Sequence, residues 1–303
     1  MINTIYISPT HLKCVVGSGD KKSITVNSYA QLPLPEGVML GGVITDEDTL
    51  AYFIGEFITK LKLTKNPTYL IIENPSIVVR PMEIPPVAAK TAFGLIEKEF
   101  DQYLSEDADM VYDFTVIEQK TKAGGVKILA VAAPVDVLSI YKRVAIRAGL
   151  KIKSMDIGAN VLIRVATIMP QFKAGTKMLV SLDGKALSLM VIENGKFFIS
   201  NRYRLVHPQG TPDWATEIVG YISSTLQFKK SQRDENHVEA CYLAGFTDTE
   251  ITSISTNGVY LDAVIEALDT SGAIRLVKQV AGTEDWDPNN YILNLGAMVG
   301  RKK

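Results

Sequence analysis

The feature that most constrains this chain is an internal duplication. Near the start, NTIYIS, LKCVVGS and SITVNSYAQL read as three short strands separated by turn signals at Ser8-Pro9-Thr10 and Gly19-Asp20. The order returns over 178–206 as MLVSLD, ALSLMVIE and KFFISNRYRLV, and each triplet is followed by a helical pattern. A three-stranded meander feeding a helix, used twice, predicts an α/β protein of two similar halves.

The helix after the first triplet is the clearest on the chain. In TDEDTLAYFIGEFITKLKL, Thr45 is the expected cap, Asp46, Glu47 and Asp48 fill the first turn, and apolar residues recur from Leu50 to Leu61 at helical spacing. Strands follow at TYLIIEN, SIVVRPMEI, MVYDFTVIEQ and VKILAVAA, with a helix from about Ala88 to Tyr103 and another, VDVLSIYKRVAIRAG, stopping at Gly149. The spacing next predicts a strand at LKIKSMDIG and a helix, ANVLIRVATIM, closing at Pro170. After the second triplet come the helix PDWATEIVGYISSTLQFKKSQ, a strand HVEACYLAG and a helix near Thr247 to Ser255. A strand near GVYLDAVI and a last helix capped by Asp287 complete the order. The surplus elements of the first half set the expected domains: 1–36 with 149–174, an inserted small α+β domain over 37–148, and a second half over 175–303.

Composition narrows the function classes. With 32 basic against 33 acidic residues the net charge is −1, so no nucleic-acid groove is expected at the level of the whole chain. Cys14 and Cys241 sit far apart in apolar runs and read as buried free thiols of a reducing compartment, and His11, His207 and His237 flank turns without carboxylates at ligand spacing, so no metal site is expected. MINTIYISPT lacks the features of a signal peptide, and VKILAVAAPVDVLSIY is broken by Pro134 and Asp136 before it could span a bilayer. The expected place is the cytoplasm, with any membrane contact made through partners. Ser76, in ENPSIVVRPM, has no nucleophile-elbow context and reads as a strand start, and QFKKSQRDEN reads as a solvated helix end.

Several stretches resemble the type IV pilus assembly protein PilM family, relatives of the cell-division actin homologue FtsA. They are ILAVAAPVDVLSIYKRVAIRAGLKIKSMDIGANVLIRV, STLQFKKSQ at 224–232, VEACYLAGF and YILNLGAMVG, in the family's order along nearly the whole chain. The resemblance implies an actin-like (ribonuclease H-like) fold whose duplicated halves face a cleft, with the insertion offering a partner-binding surface.

That superfamily holds MgATP between two β-turns of the form Asp-x-Gly followed by Ser or Thr, because glycine admits phosphate to the backbone amides and the carboxylates hold the metal. In the first turn the aspartate position is Tyr6, the glycine position Ser8, and Pro9 removes an amide donor, with Lys13 following. In SLDGKALSLMVIENG the aspartate position is Ser181, the glycine position Asp183, and the hydroxyl positions include Lys185, Ala186 and Leu187. The adenosine loop has Gly245-Phe246 where the family has two glycines. Asp183 places a negative charge against an approaching triphosphate, which Lys185 is expected to offset in part. HPQGTPDW is a turn where the family inserts a small helical cap. Asp183-Gly184 is also an ordinary hairpin dipeptide.

The expectation is therefore a cytoplasmic actin-like scaffold of a type IV pilus platform, without ATPase activity or bound cofactor. The resemblance implies that it binds the cytoplasmic N-terminal peptide of a PilN-like membrane protein through the 37–148 region and meets the platform's motor proteins, and it leaves self-association open. One alternative is an active member that binds MgATP. Another is a module like GspL of a type II secretion platform. A sugar or acid kinase of the same superfamily would need intact phosphate turns and a catalytic aspartate, and neither is apparent.

Overall fold

The computed structural model describes residues 1–63, 66–102, 109–121, 123–232, 236–277 and 286–300. The chain opens with β1 (Ile2–Ile7), β2 (His11–Gly19) and β3 (Ile24–Pro33), then a two-stranded ribbon of β4 (Met39–Leu40) and β5 (Val43–Ile44). There follow α1 (Glu47–Leu61), β6 (Thr68–Ile72), β7 (Val78–Ile84), α2 (Ala89–Phe100), β8 (Met110–Glu118), β9 (Val126–Pro134), α3 (Val135–Arg147), β10 (Ile152–Ile157) and α4 (Gly158–Ile168). The second set is β11 (Thr176–Asp183), β12 (Ala186–Glu193), β13 (Lys196–Arg204), α5 (Pro212–Ser231), β14 (Ala240–Ala244), α6 (Asp248–Asn257), β15 (Val264–Ala267), β16 (Ile274–Leu276) and α7 (Ile292–Met298).

Sheet order displays the duplication. One sheet reads β10-β6-β1-β2-β3-β16 and another β13-β12-β11-β14-β15, so β3-β2-β1-β6-β10 repeats the order of the second set strand for strand. In the second sheet β11, β12 and β13 are an antiparallel meander, while β14 and β15 join parallel to β11. A third sheet, β7-β9-β8, is antiparallel throughout.

The chain divides into two compact units: Met1–Thr4, Lys13–Ala30 and Val161–Lys303 form one, and Ile5–Leu12 with Gln31–Asn160 form the other. In the first, Met178, Val180, Leu189 and Val191 of the sheet pack against Trp214, Ile218 and Ile222 of α5. Their alternation on the strands and four-residue spacing on the helix put all of them on facing surfaces. In the second, Ile84, Ile128, Ala130 and Ala132 meet Ala92, Ile96 and Phe100 of α2 in a separate small core.

Several sequence expectations need correction. Asp46, not Thr45, caps α1, its Oδ1 accepting from Thr49 N at 2.9 Å, while Thr45 Oγ1 donates to the Gly37 carbonyl. The strand expected near GVYLDAVI starts only at Val264, because α6 runs on to Asn257 and Gly258 N donates to Ile254 O at 2.8 Å. The short β16 was not read at all. Lys229 lies on the buried side of α5, only 1% exposed, and is the exception in a helix end whose Gln227, Phe228, Lys230, Ser231 and Gln232 are exposed as expected. Tyr103, the end of a predicted helix, and 233–235, within the run QFKKSQRDEN, lie outside the described residues. Thr247 does form a full capping box with Glu250, and Gly149, at φ +76°, follows α3 as its stop.

Candidate functional site

The hairpin that joins β11 to β12 is a two-residue turn, Gly184-Lys185, between the paired Asp183 and Ala186. Gly184 has φ +57° at the first central position, where a tight hairpin needs a residue without a Cβ. Ser181 is buried within β11, opposite Ser188 on one side and Ala244 on the other, and Leu187 is buried on β12. Lys185 is exposed at the tip, and its carbonyl accepts from Leu205 N at 2.8 Å.

The partner of Asp183 is Lys13, not Lys185. Lys13 Nζ donates to Asp183 Oδ1 at 2.7 Å, and the two side chains are only 11% and 10% exposed. Two charges held this far from water are tolerated because each supplies the other's counter-ion. Lys13 is fixed from behind: its carbonyl accepts from Asn294 Nδ2 on α7 at 3.0 Å, and the same amide donates to Thr4 O at 3.0 Å. Asn294 is fully buried.

The loop after β14 closes against this hairpin. Gly245 has φ +85°, and a Cβ there would stand 2.3 Å from the Leu182 carbonyl oxygen. Phe246, expected from the resemblance at the second glycine position of an adenosine loop, is 7% exposed and tilted against Trp214 with ring centroids 6.0 Å apart. Its side chain belongs to the core beneath the second sheet.

The other unit carries the turn between β1 and β2. Ser8 is buried and spends its hydroxyl inside that turn, Oγ accepting from Thr10 N at 3.2 Å and His11 N at 3.1 Å. Tyr6 is buried, and Pro9 is half-buried in the bend. The remaining candidates stay apart: His207 and His237 are exposed, while Cys14 and Cys241 are buried and free. Burial pushes the Cys241 thiol up to about 12 and raises Cys14 as well, so neither is a ready nucleophile. Among the described residues no three His, Cys, Asp or Glu side chains stand together as metal ligands.

A second lysine cluster escaped sequence reasoning. Lys229 Nζ lies 3.1 Å from Glu193 Oε2 and 4.3 Å from the centre of the Phe198 ring, and Asn236 Nδ2 donates to Glu193 Oε1 at 2.7 Å. The signal was present, because Lys229 continues the stripe Trp214, Ile218, Ile222, Thr225 at helical spacing.

Comparison with known proteins decides the family. The family model for type IV pilus assembly protein PilM matches residues 4–204. The chain belongs to that family. Among solved structures, the PilM-PilN type IV pilus biogenesis complex matches with a TM-score of 0.78 at 15% identity, covering 98% of this chain and 97% of that one. A Bacteroides thetaiotaomicron protein of actin-like ATPase fold and unknown function matches at TM-score 0.53 and 11% identity, over 97% and 95%. The cytoplasmic domain of EpsL, an inner membrane component of the type II secretion system of Vibrio cholerae, matches at 0.51 and 11%, over 98% and 94%. At these identities the likeness shows the fold, which for this PilM-family chain is actin-like. No curated protein sequence matches it. Among the described residues no helix is long and apolar enough to cross a membrane.

Proposed function

We propose that this chain is a scaffold of the type IV pilus assembly platform that has given up nucleotide chemistry and works by binding partners. The observation that carries this reading is the Lys13–Asp183 pair. In an active member of the resembled superfamily the turn would present a glycine to phosphate. Here the ammonium already has a carboxylate at 2.7 Å. The pair is close to neutral overall, so the carboxylate cancels the attraction that the ammonium alone would offer a phosphate. Phe246 in the core, Ser8 committed to its own turn and Ser181 buried in a strand point the same way. These residues do not fit MgATP.

The partner follows from the solved complex. A protein of this fold is found with PilN, and a PilN-like membrane protein is the natural occupant for this chain as well. Its N-terminal peptide would bind in the 37–148 region, which contains the antiparallel β7-β9-β8 sheet. There an extended peptide could add as a strand, with alternate side chains taken into pockets. The protein would then work at the inner face of the membrane, held there by its partner and in contact with the motor proteins of the platform.

Calorimetric titration with MgATP, beside titration with the N-terminal peptide of the membrane protein encoded next to it, tests both halves. Peptide binding with no nucleotide heat at millimolar MgATP is expected. Saturable nucleotide heat would overturn the scaffold reading in favour of an ATP-binding member, and a silent peptide would remove the proposed partner.

A further inference from the structure

The unit made of Ile5–Leu12 and Gln31–Asn160 has a basic surface where α3 gives way to β10. Between Asp136 and Asp156 the chain has Lys142, Arg143, Arg147, Lys151 and Lys153 and no acidic residue. Tyr141, Val144 and Ala145 are buried on the inner side of α3, which leaves Lys142, Arg143, Ile146 and Arg147 together on its outer side, at the spacings of one helix face. Lys151 and Lys153 follow, both exposed, at the start of β10, which ends the order of the six-stranded sheet among the described residues. Two carboxylates reach this surface from α1: Arg143 Nη2 donates to Glu47 Oε1 at 2.6 Å, and Arg147 pairs with Asp48. Five cations against two carboxylates leave three positive charges in excess.

The apolar content of this surface is small and fully offered to solvent. Ile146, beside Arg147, is 64% exposed, and so is Tyr52, one turn past Asp48 on α1. A protein partner of ordinary size covers about 800 Å² of each surface and seats its aromatic anchors in pockets. Two isolated side chains among charged ones are too little for that. An anionic bilayer asks less. Each Lys or Arg near the headgroups is drawn by the surface potential, and an aliphatic and a tyrosine side chain suit the boundary between headgroups and acyl chains.

We propose that this surface rests directly on a bilayer of anionic phospholipid, with Lys142, Lys151 and Lys153 at the headgroups and Ile146 and Tyr52 entering between them. Three excess charges make a weak, salt-sensitive contact rather than an anchor. Its work is to orient a protein already brought to the membrane. The inference rests on α1, α3 and β10 alone and is independent of the nucleotide and peptide readings.

Flotation of the full chain with lipid vesicles, in the absence of any partner, tests it. At low salt the protein is expected to float with phosphatidylglycerol-rich vesicles and not with pure phosphatidylcholine, and to be released as salt is raised. At about fivefold per lysine, the double variant K142E/K151E should weaken binding by at least about tenfold. Both side chains are exposed, so its melting temperature should not move. Ile146→Ser, which leaves the charge alone, should weaken binding by less. The exposed pair K21E/K22E changes net charge equally at a distant turn and should leave binding close to wild type. No flotation at any content of anionic lipid overturns the proposal. So does an equal loss in K21E/K22E, which would reduce the attraction to net charge. Capture on immobilised poly-glutamate without flotation would assign the surface to an acidic protein segment instead.

Discussion

Two lysine–carboxylate pairs sit at opposite ends of β12 and do different work. Lys229–Glu193, at the β13 end, is saturated: the ammonium is 1% exposed and rests over Phe198, and the second carboxylate oxygen takes Asn236. It ties the last turn of α5 to the hairpin beneath it. Lys13–Asp183, at the other end, joins a lysine whose main chain is anchored by Asn294 to an acid at the mouth of a tight turn. The first pair is a brace with no vacancy for a ligand. On the proposed reading, the second fills from within the chain the place where a nucleotide-binding relative would meet phosphate. Burial alone does not distinguish them; the neighbours of each lysine do.

Breaking the brace should have the largest effect. Lys229→Ala strands Glu193 and opens a gap at Phe198, and a loss of about 3–5 kcal/mol is expected from urea unfolding, as for other buried pairs that lose one partner. Lys229→Met, which keeps the stem packed, should recover part of it. A loss below about 1 kcal/mol, as for an exposed pair, would mean that Lys229–Glu193 is no brace.

Asp183→Gly should cost about 3 kcal/mol, near the lower end for such a pair. It also restores glycine at the turn and releases Lys13. Millimolar MgATP is then expected to raise the melting temperature of the variant and leave the wild type unmoved, through ligand linkage. An equal rise in both would show that the carboxylate is no obstacle.

Gly245→Ala measures how tightly the turn end is fixed. With a Cβ forced against Leu182 O and a positive φ imposed on alanine, about 2 kcal/mol is expected, read from the denaturation midpoint. Substituting Gly210, which also has positive φ but nothing near its Cβ, should cost less.

The smallest effect belongs to an exposed pair outside the comparison. The side-chain hydrogen bond from Lys177, then the Thr176 N–H, hold the Glu239 carboxyl below the usual carboxylate range. A depressed folded pKa gives stabilisation that is complete above the unfolded value of about 4.3 and is lost as pH falls through the folded value. Glu239→Gln should therefore lie slightly below wild type at neutral pH and converge with it in acid. Curves that run parallel down to the acid transition would remove the linkage.

The duplicated meanders were legible because strand period and turn residues are local, and Asn194-Gly195 illustrates it: both residues have positive φ, as a two-residue hairpin loop demands. The family was legible in helix ends and strand tails spread along the chain. What sequence did not reveal depends on distant partners. Asp183 was expected to lean on Lys185, two positions away, and instead takes Lys13, 170 positions away. β16, three residues long and parallel to β3, has no period to detect. Asp46 outcompeted Thr45 as a cap because a carboxylate one position on reaches both the amide and the hydroxyl of Thr49. The expected insertion at 37–148 holds β6, which pairs with β10 in the six-stranded sheet, so no composition shift marks where that sheet gives way to the small one.

Asn294 has a consequence for how the chain is made. Its amide bonds Thr4 and Lys13 across 290 and 281 positions. At ribosomal speeds of about 5–20 residues per second, the opening strands would emerge roughly 15 to 60 s before the side chain that secures them. Strands β1 and β2 are thus made well before the side chain that bonds them. Over that interval the apolar strands β1 and β2 have only local pairing to cover their edges, the condition in which exposed strands aggregate most readily.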